Sequence, residues 1–321
     1  MHNEDTVNLQ TRHLFAFLLL TFTFLEMCTG AYAATIPADI KKTVTFIFLA
    51  DKEGKLKVDP KTQQPVAMGT GFFVIVENES KAKGFTYLVT AKHVVQDPIG
   101  GIYTRIFIRL NRKGGGADFI PIDLLKQQVF TSGDPSADMA IIPLSLNPAL
   151  ADIKAIPDSL IATRESFDKL HIAEGSDVFF VGLFTSYYGD KRNNPVVRFG
   201  KVAMLPEERI TFVSPEKSWL YLIEAQTFGG NSGAPVFFSL GVDREPNELH
   251  IGPPQIMLAG IMKGFFNQNR AIEFHTVETL SQTIPVSVLN SGIAAITPAY
   301  ILHEILFSPE LIQQRTSALN K

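Results

Sequence analysis

Three short stretches carry residue types that, brought together, would attack a carbonyl group. They are "YLVTAKHVV" with His93, "SADMAIIPL" with Asp138 and "FGGNSGAPV" with Ser232. A serine hydroxyl is a weak nucleophile until a base takes its proton. Histidine ionises near neutral pH, and a buried carboxylate would fix its tautomer and steady the imidazolium. Ser232 sits among Gly229, Gly230, Asn231 and Gly233. Such a run costs chain entropy, so it is expected where the backbone turns tightly or another molecule comes close to it. The turn would offer the N–H groups of Gly230 and Ser232 to a developing oxyanion. Each motif alone also has an ordinary reading: a surface histidine, a turn aspartate, a hairpin connection.

Taken together, in the order His93, Asp138, Ser232, the motifs resemble those of the chymotrypsin-like (trypsin-fold) serine proteases. The similarity is greatest to bacterial secreted peptidases of the HtrA-like kind, whose serine loop reads GNSG. "GTGFFV" (69–74) matches the strand ahead of the histidine, and "LAGIMKGFF" (258–266) the strand after the serine that lines the cleft. The resemblance implies an all-β fold of two six-stranded antiparallel barrels with a C-terminal helix. It implies peptide-bond hydrolysis through an acyl-enzyme, with Ser232 as nucleophile, His93 as base and Asp138 as its orienting group. No metal or cofactor is called for. Around the substrate it places Ile261, Met262, Lys263 and Gly264, with the uncharged Gln226 as a candidate pocket floor. Lys263 either points inward, favouring acidic residues, or outward to solvent, as lysines usually do.

Two departures from the family pattern matter. Asn231 stands where digestive members carry an aspartate that pairs with a new N-terminus, so activation by that ion pair is not expected. Ala234 stands where a second glycine is common, which would strain a left-handed backbone there. The stretch after Phe266 is also too short for the PDZ module usual in HtrA-like proteins. An alternative reading is a trypsin-fold barrel that is catalytically silent and kept for binding peptides.

The elements that must hold these residues read as short β-strands. Apolar, β-branched and aromatic runs occur at 43–50, 69–76, 85–91, 102–110, 138–144, 177–183 and 196–205, and again at 209–214, 219–227, 234–238, 255–266 and 271–277. Gly, Pro, Asn and Asp punctuate them, the pattern of an all-β barrel or sandwich. The polar stretch 51–65 reads as an insertion. Two β halves are expected to meet near residues 145–170. Helical spacing predicts two helices over 297–319, the second starting at Pro309.

Composition sets the outer limits. The chain of 321 residues is 45% apolar with 25 phenylalanines and a formal charge of only −3. That balance argues against nucleic acid as the partner. The apolar run His13 to Leu25, followed by Ala31-Tyr32-Ala33, predicts a signal peptide over residues 1–33, cleaved near Ala33 or Ala34. The run is too short for a comfortable membrane span. Residues 34–321 would then form the exported peptidase domain, in the periplasm or outside the cell. The single cysteine, Cys28, falls in the removed segment, so the mature chain would rest on its core without a disulfide.

Overall fold

Alternating and continuous apolar runs become strands, and what closes around them is a pair of β modules. The computed structural model describes residues 36–78, 84–212, 215–241, 255–271 and 286–320. The expected signal segment, with Cys28, Ala33 and Ala34, lies outside the described residues. So does nearly all of the strand expected at 271–277.

The first module is built from β1 (Val44–Leu49), β2 (Ala67–Glu77), β3 (Gly84–Thr90), β4 (Arg105–Asn111), β5 (Ala117–Asp123), β6 (Phe130–Thr131), β7 (Ala140–Leu144) and β8 (Ile156–Pro157). These form one sheet of eight strands in the order β5-β4-β1-β2-β3-β7-β6, with β8 parallel to β2. The sheet curls into a half-barrel whose edge strands are β5 and β6, in keeping with the expected all-β, two-barrel fold. Phe46 and Phe48 of β1 and Phe72 and Phe73 of β2 are completely buried. Each such ring contributes about 1.5–3 kcal/mol by leaving water.

A short helix α1 (Arg164–Lys169) leads to the second module. It comprises β9 (Asp177–Gly182), β10 (Val196–Met204), the pair β11 (Ile210–Thr211) and β12 (Lys217–Ser218), β13 (Tyr221–Glu224), β14 (Pro235–Leu240), β15 (Gln255–Ala271) and β16 (Val286–Pro298). Six of these close into a barrel in the order β10-β13-β16-β15-β14-β9. Phe179 and Phe237, paired directly across β9 and β14, stack at 5.0 Å.

Two helices end the chain, as the spacing predicted: α2 (Ala299–Leu306) and α3 (Pro309–Leu319). Proline suits the first turn of α3 because its missing N–H would have no partner there, and Ser308 caps that turn by accepting from the Leu311 N–H. The last helix reaches back to the first module, where buried Arg315 donates to the Tyr87 hydroxyl at 3.1 Å and to the Leu306 carbonyl at 2.8 Å. Among the described residues, no helix is long and apolar enough to cross a membrane.

The modules are also tied through the β9–β10 connection. Arg109 of β4, buried, donates to the carbonyls of Gly189 and Asp190 at 2.6 and 2.8 Å. Its guanidinium lies over the Phe119 and Tyr188 rings. This arginine carries no motif, and its neighbours in sequence give no hint that it anchors a loop of the other module.

Candidate active site

His93 and Asp138 meet because the strands beside them are paired. β3 and β7 run antiparallel with Thr90 opposite Ala140. His93 follows β3 in a single 3-10 turn, and Asp138 precedes β7, so the two ends are adjacent. The His93 ring Nδ1 lies 2.6 Å from Asp138 Oδ2, and the His93 backbone N–H donates to Oδ1 at 3.0 Å. Since the carboxylate only accepts, Nδ1 carries the ring proton and Nε2 is left as an acceptor. Burial opposes the charge on Asp138, yet the hydrogen bond and charge of the His93 ring outweigh it. The carboxyl is held below its ordinary range.

Ser232 arrives from the other module, on the turn before β14. Here the glycines have specific work. Gly230 and Gly233 have φ of +92° and +82°, the left-handed region that other residues enter only with strain. A Cβ on Gly233 would also stand 2.2 Å from the Thr70 carbonyl, because the turn packs backbone to backbone on β2. Thr70 N–H donates to the Ser232 carbonyl at 2.9 Å, closing that contact. Ala234 has no positive φ, so the strain considered there does not arise.

Asn231 holds the turn from inside. It is buried; its amide Nδ2 donates to the Leu183 carbonyl at 2.7 Å, and its Oδ1 accepts from the Phe228 N–H at 2.9 Å. Thr70 adds a bridge that its sequence setting did not advertise. Its hydroxyl donates to the Gly230 carbonyl at 2.8 Å and accepts from the Leu183 N–H at 2.9 Å. Among the described residues, the N–H groups of Gly229, Gly230 and Ser232 have no protein acceptor, while those of Phe228, Asn231, Gly233 and Ala234 are hydrogen-bonded.

We expect Thr70→Val to cost about 2 kcal/mol, because it strands one buried carbonyl and one buried N–H. Thr70→Ser should keep both bonds and most of the stability. Thermal melts of the two variants check this; equal melting temperatures would mean the bridge contributes nothing.

The two modules enclose a cavity of about 650 Å³ that His93, Asp138 and Ser232 all line. That is the size of an ordinary ligand cleft. The serine hydroxyl is 3.4 Å from the Lys263 carbonyl and, among the described residues, has no hydrogen bond to His93. Catalytic hydrogen bonds are often open in ligand-free sites, and rotation about the serine Cα–Cβ bond would redirect the hydroxyl.

Of the expected substrate-side residues, Met262, Lys263 and Gly264 line the cavity. Ile261 does not: it is fully buried and away from the cavity lining. Gln226 does not either; it is exposed, and the neighbouring Thr227 lines the cavity in its place. Lys263 points inward. Its Nζ donates to Ser218 Oγ at 3.2 Å and to the Ser136 carbonyl at 3.5 Å, and lies 5.9 Å from the Phe212 ring centre. Burial lowers its pKa, against the attraction of Asp138.

The sequence matches no protein-family model and no curated protein. The structure is similar to several solved proteases. The MamO protease domain from Magnetospirillum magneticum in its apo form is 16% identical, over 83% of this chain and 97% of that one, with a TM-score of 0.46. The HtrA-type protease AlgW with a decapeptide is 15% identical, over 86% and 73%, with a TM-score of 0.44. The active form of the Rv3671c protease from M. tuberculosis is 17% identical, over 84% and 81%, with a TM-score of 0.42.

Proposed function

We propose that the chain is a serine endopeptidase, exported after cleavage near Ala33 or Ala34, that hydrolyses peptide bonds through an acyl-enzyme. The supporting observation is the hydrogen-bonded pair of exposed His93 and buried Asp138 facing the same cavity as Ser232, on a turn whose Gly230 and Ser232 amides are left unpaired. In this reading Ser232 Oγ attacks the scissile carbonyl while His93 Nε2 takes its proton. The carbonyl oxygen becomes an oxyanion against the two amides, which are preorganised and so need no rearrangement. The tetrahedral intermediate collapses as His93 returns the proton to the leaving amine. Water then repeats the sequence on the acyl-enzyme and frees Ser232.

The pairing of the serine hydroxyl with Lys263 rather than His93 favours a second reading, a barrel that binds peptides without cutting them. A fluorophosphonate probe separates the two. Purified chain should label, and Ser232→Ala and His93→Ala should both lose the label. A well-folded wild type that stays unlabelled would make the binding reading the better one.

A further inference from the structure

We infer that Lys263 is the specificity determinant of the cleft, and that the peptides it selects carry an acidic side chain next to the reacting bond. This rests on the peptidase reading only for the position of that bond; recognition of the anion does not need catalysis.

Lys263 is tied to the site at both ends. Its carbonyl accepts from the Ser232 hydroxyl at 3.4 Å, and its side chain lines the cavity that Ser232 lines. A side chain beside a carbonyl under attack by Ser232 therefore lies within reach of the ammonium. Lysine heads usually escape to water, but this one is half-buried and turned inward. Among the described residues, both of its hydrogen-bond partners are neutral oxygens, those of Ser218 and Ser136. An ammonium has three N–H donors, so one remains to be used, and buried charge is costly until an opposite charge answers it.

Among the described residues, no carboxylate makes a direct contact with that ammonium. Asp138 is engaged by the ring and backbone of His93. Asp134 is bridged by Arg209 at 2.9 Å. Glu216 lines the same cavity but is exposed and, like the other two, acts on Lys263 only through space. A second ammonium, Lys92, stands on the cavity wall with its Nζ on the Pro135 carbonyl and adds positive potential. The apolar part of the site suits the stem of an acidic residue. Gly264 has no side chain, and a Cβ there would come within 3.1 Å of the edge of the Phe212 ring, which also lines the pocket.

The test is direct binding. Ser232→Ala chain is titrated, by fluorescence anisotropy, with labelled octapeptides of Gly, Ala and Ser that carry one central Glu, Gln or Lys. A charge-assisted contact predicts that Glu binds about tenfold more tightly than Gln, and Lys more weakly than either. The Glu preference should vanish in Lys263→Met, survive in Lys263→Arg and pass to the Lys peptide in Lys263→Glu, with melting curves showing each variant folded. Equal binding of Glu and Gln peptides, no binding of either, or a preference that persists in Lys263→Met would overturn the assignment. Fluorophosphonate labelling is scored separately. Labelling without a Glu preference sinks the Lys263 assignment alone, and a Glu preference without labelling sinks the peptidase reading alone.

Discussion

Asp138→Asn is expected to lower kcat by about 10⁴-fold, with KM little changed. The reason is a count of acceptors. Asp138 accepts twice from one residue, from the His93 ring and from the His93 backbone N–H. An asparagine has one acceptor oxygen. The backbone N–H cannot give up its proton, so the oxygen stays with it and the new NH₂ turns to the ring. Nδ1 must then accept, the ring proton moves to Nε2, and the nitrogen that should receive the Ser232 proton is blocked. Steady-state kinetics on any cleaved peptide check this, with fluorophosphonate labelling as a second readout. A loss smaller than tenfold would mean that His93 does not need Asp138, and the relay as drawn would be wrong.

The same substitution should change how stability depends on pH. Asp138 has a carboxyl pKa held below its unfolded value, chiefly by His93 acting against burial. Its contribution to stability is therefore present above the unfolded aspartate value, about 3.9, and is lost as pH falls through the lower folded value. Melting temperature in the wild type should drop over that acid range, and Asp138→Asn should show a shallower drop.

How far the sequence disclosed all this varies residue by residue. The motifs of His93, Asp138 and Ser232 were legible because His93 follows a strand while Asp138 and Ser232 each precede one, and motifs at strand ends are written in local residues. The second barrel and the terminal helices followed from periodicity and from Pro309. β5 and β16 were not anticipated. β5 contains Pro121 and is flanked by aspartates, which reads as a turn; it is tolerated because β5 is an edge strand with β4 as its neighbour. In β16, Asn290, Ser291 and Gly292 look like a loop, yet the strand runs through them with Gly292 at φ +80°. Such irregular stretches are stabilised by the partner strand, which no local window contains. The misplaced pocket floor had a readable signal: Ala225 and Thr227 are buried and Gln226 between them is exposed, so alternation from β13 chooses Thr227. Nothing in the sequence told an inward lysine from an outward one. Only the packing of Ser218, Ser136 and Phe212 around Lys263 decides it.

Asn231→Asp should be among the most damaging single-atom changes in the chain, costing about 3–5 kcal/mol near neutral pH. Asn231 is the serine's neighbour, and its amide donates at 2.7 Å to the Leu183 carbonyl inside the protein. A carboxylate would set a second oxygen against that carbonyl with no cation beside it, while the Phe228 N–H satisfies only the other oxygen. For a domain of this size the loss corresponds to roughly 10 °C in melting temperature. The sign of its pH dependence is the distinguishing mark. A buried aspartate facing a carbonyl is stable only when protonated, so its folded pKa lies above its unfolded one. The stability it retains is full below the unfolded value and is lost as pH rises through the folded value, the reverse of Asp138. The variant should therefore melt higher at pH 5 than at pH 8, and its Ser232 should label more slowly at pH 8, because the loosened turn carries the Gly230 and Ser232 amides. A melting temperature equal to wild type at pH 8 would mean that the carboxylate finds a cation or water there. The asparagine would then have no structural role of its own.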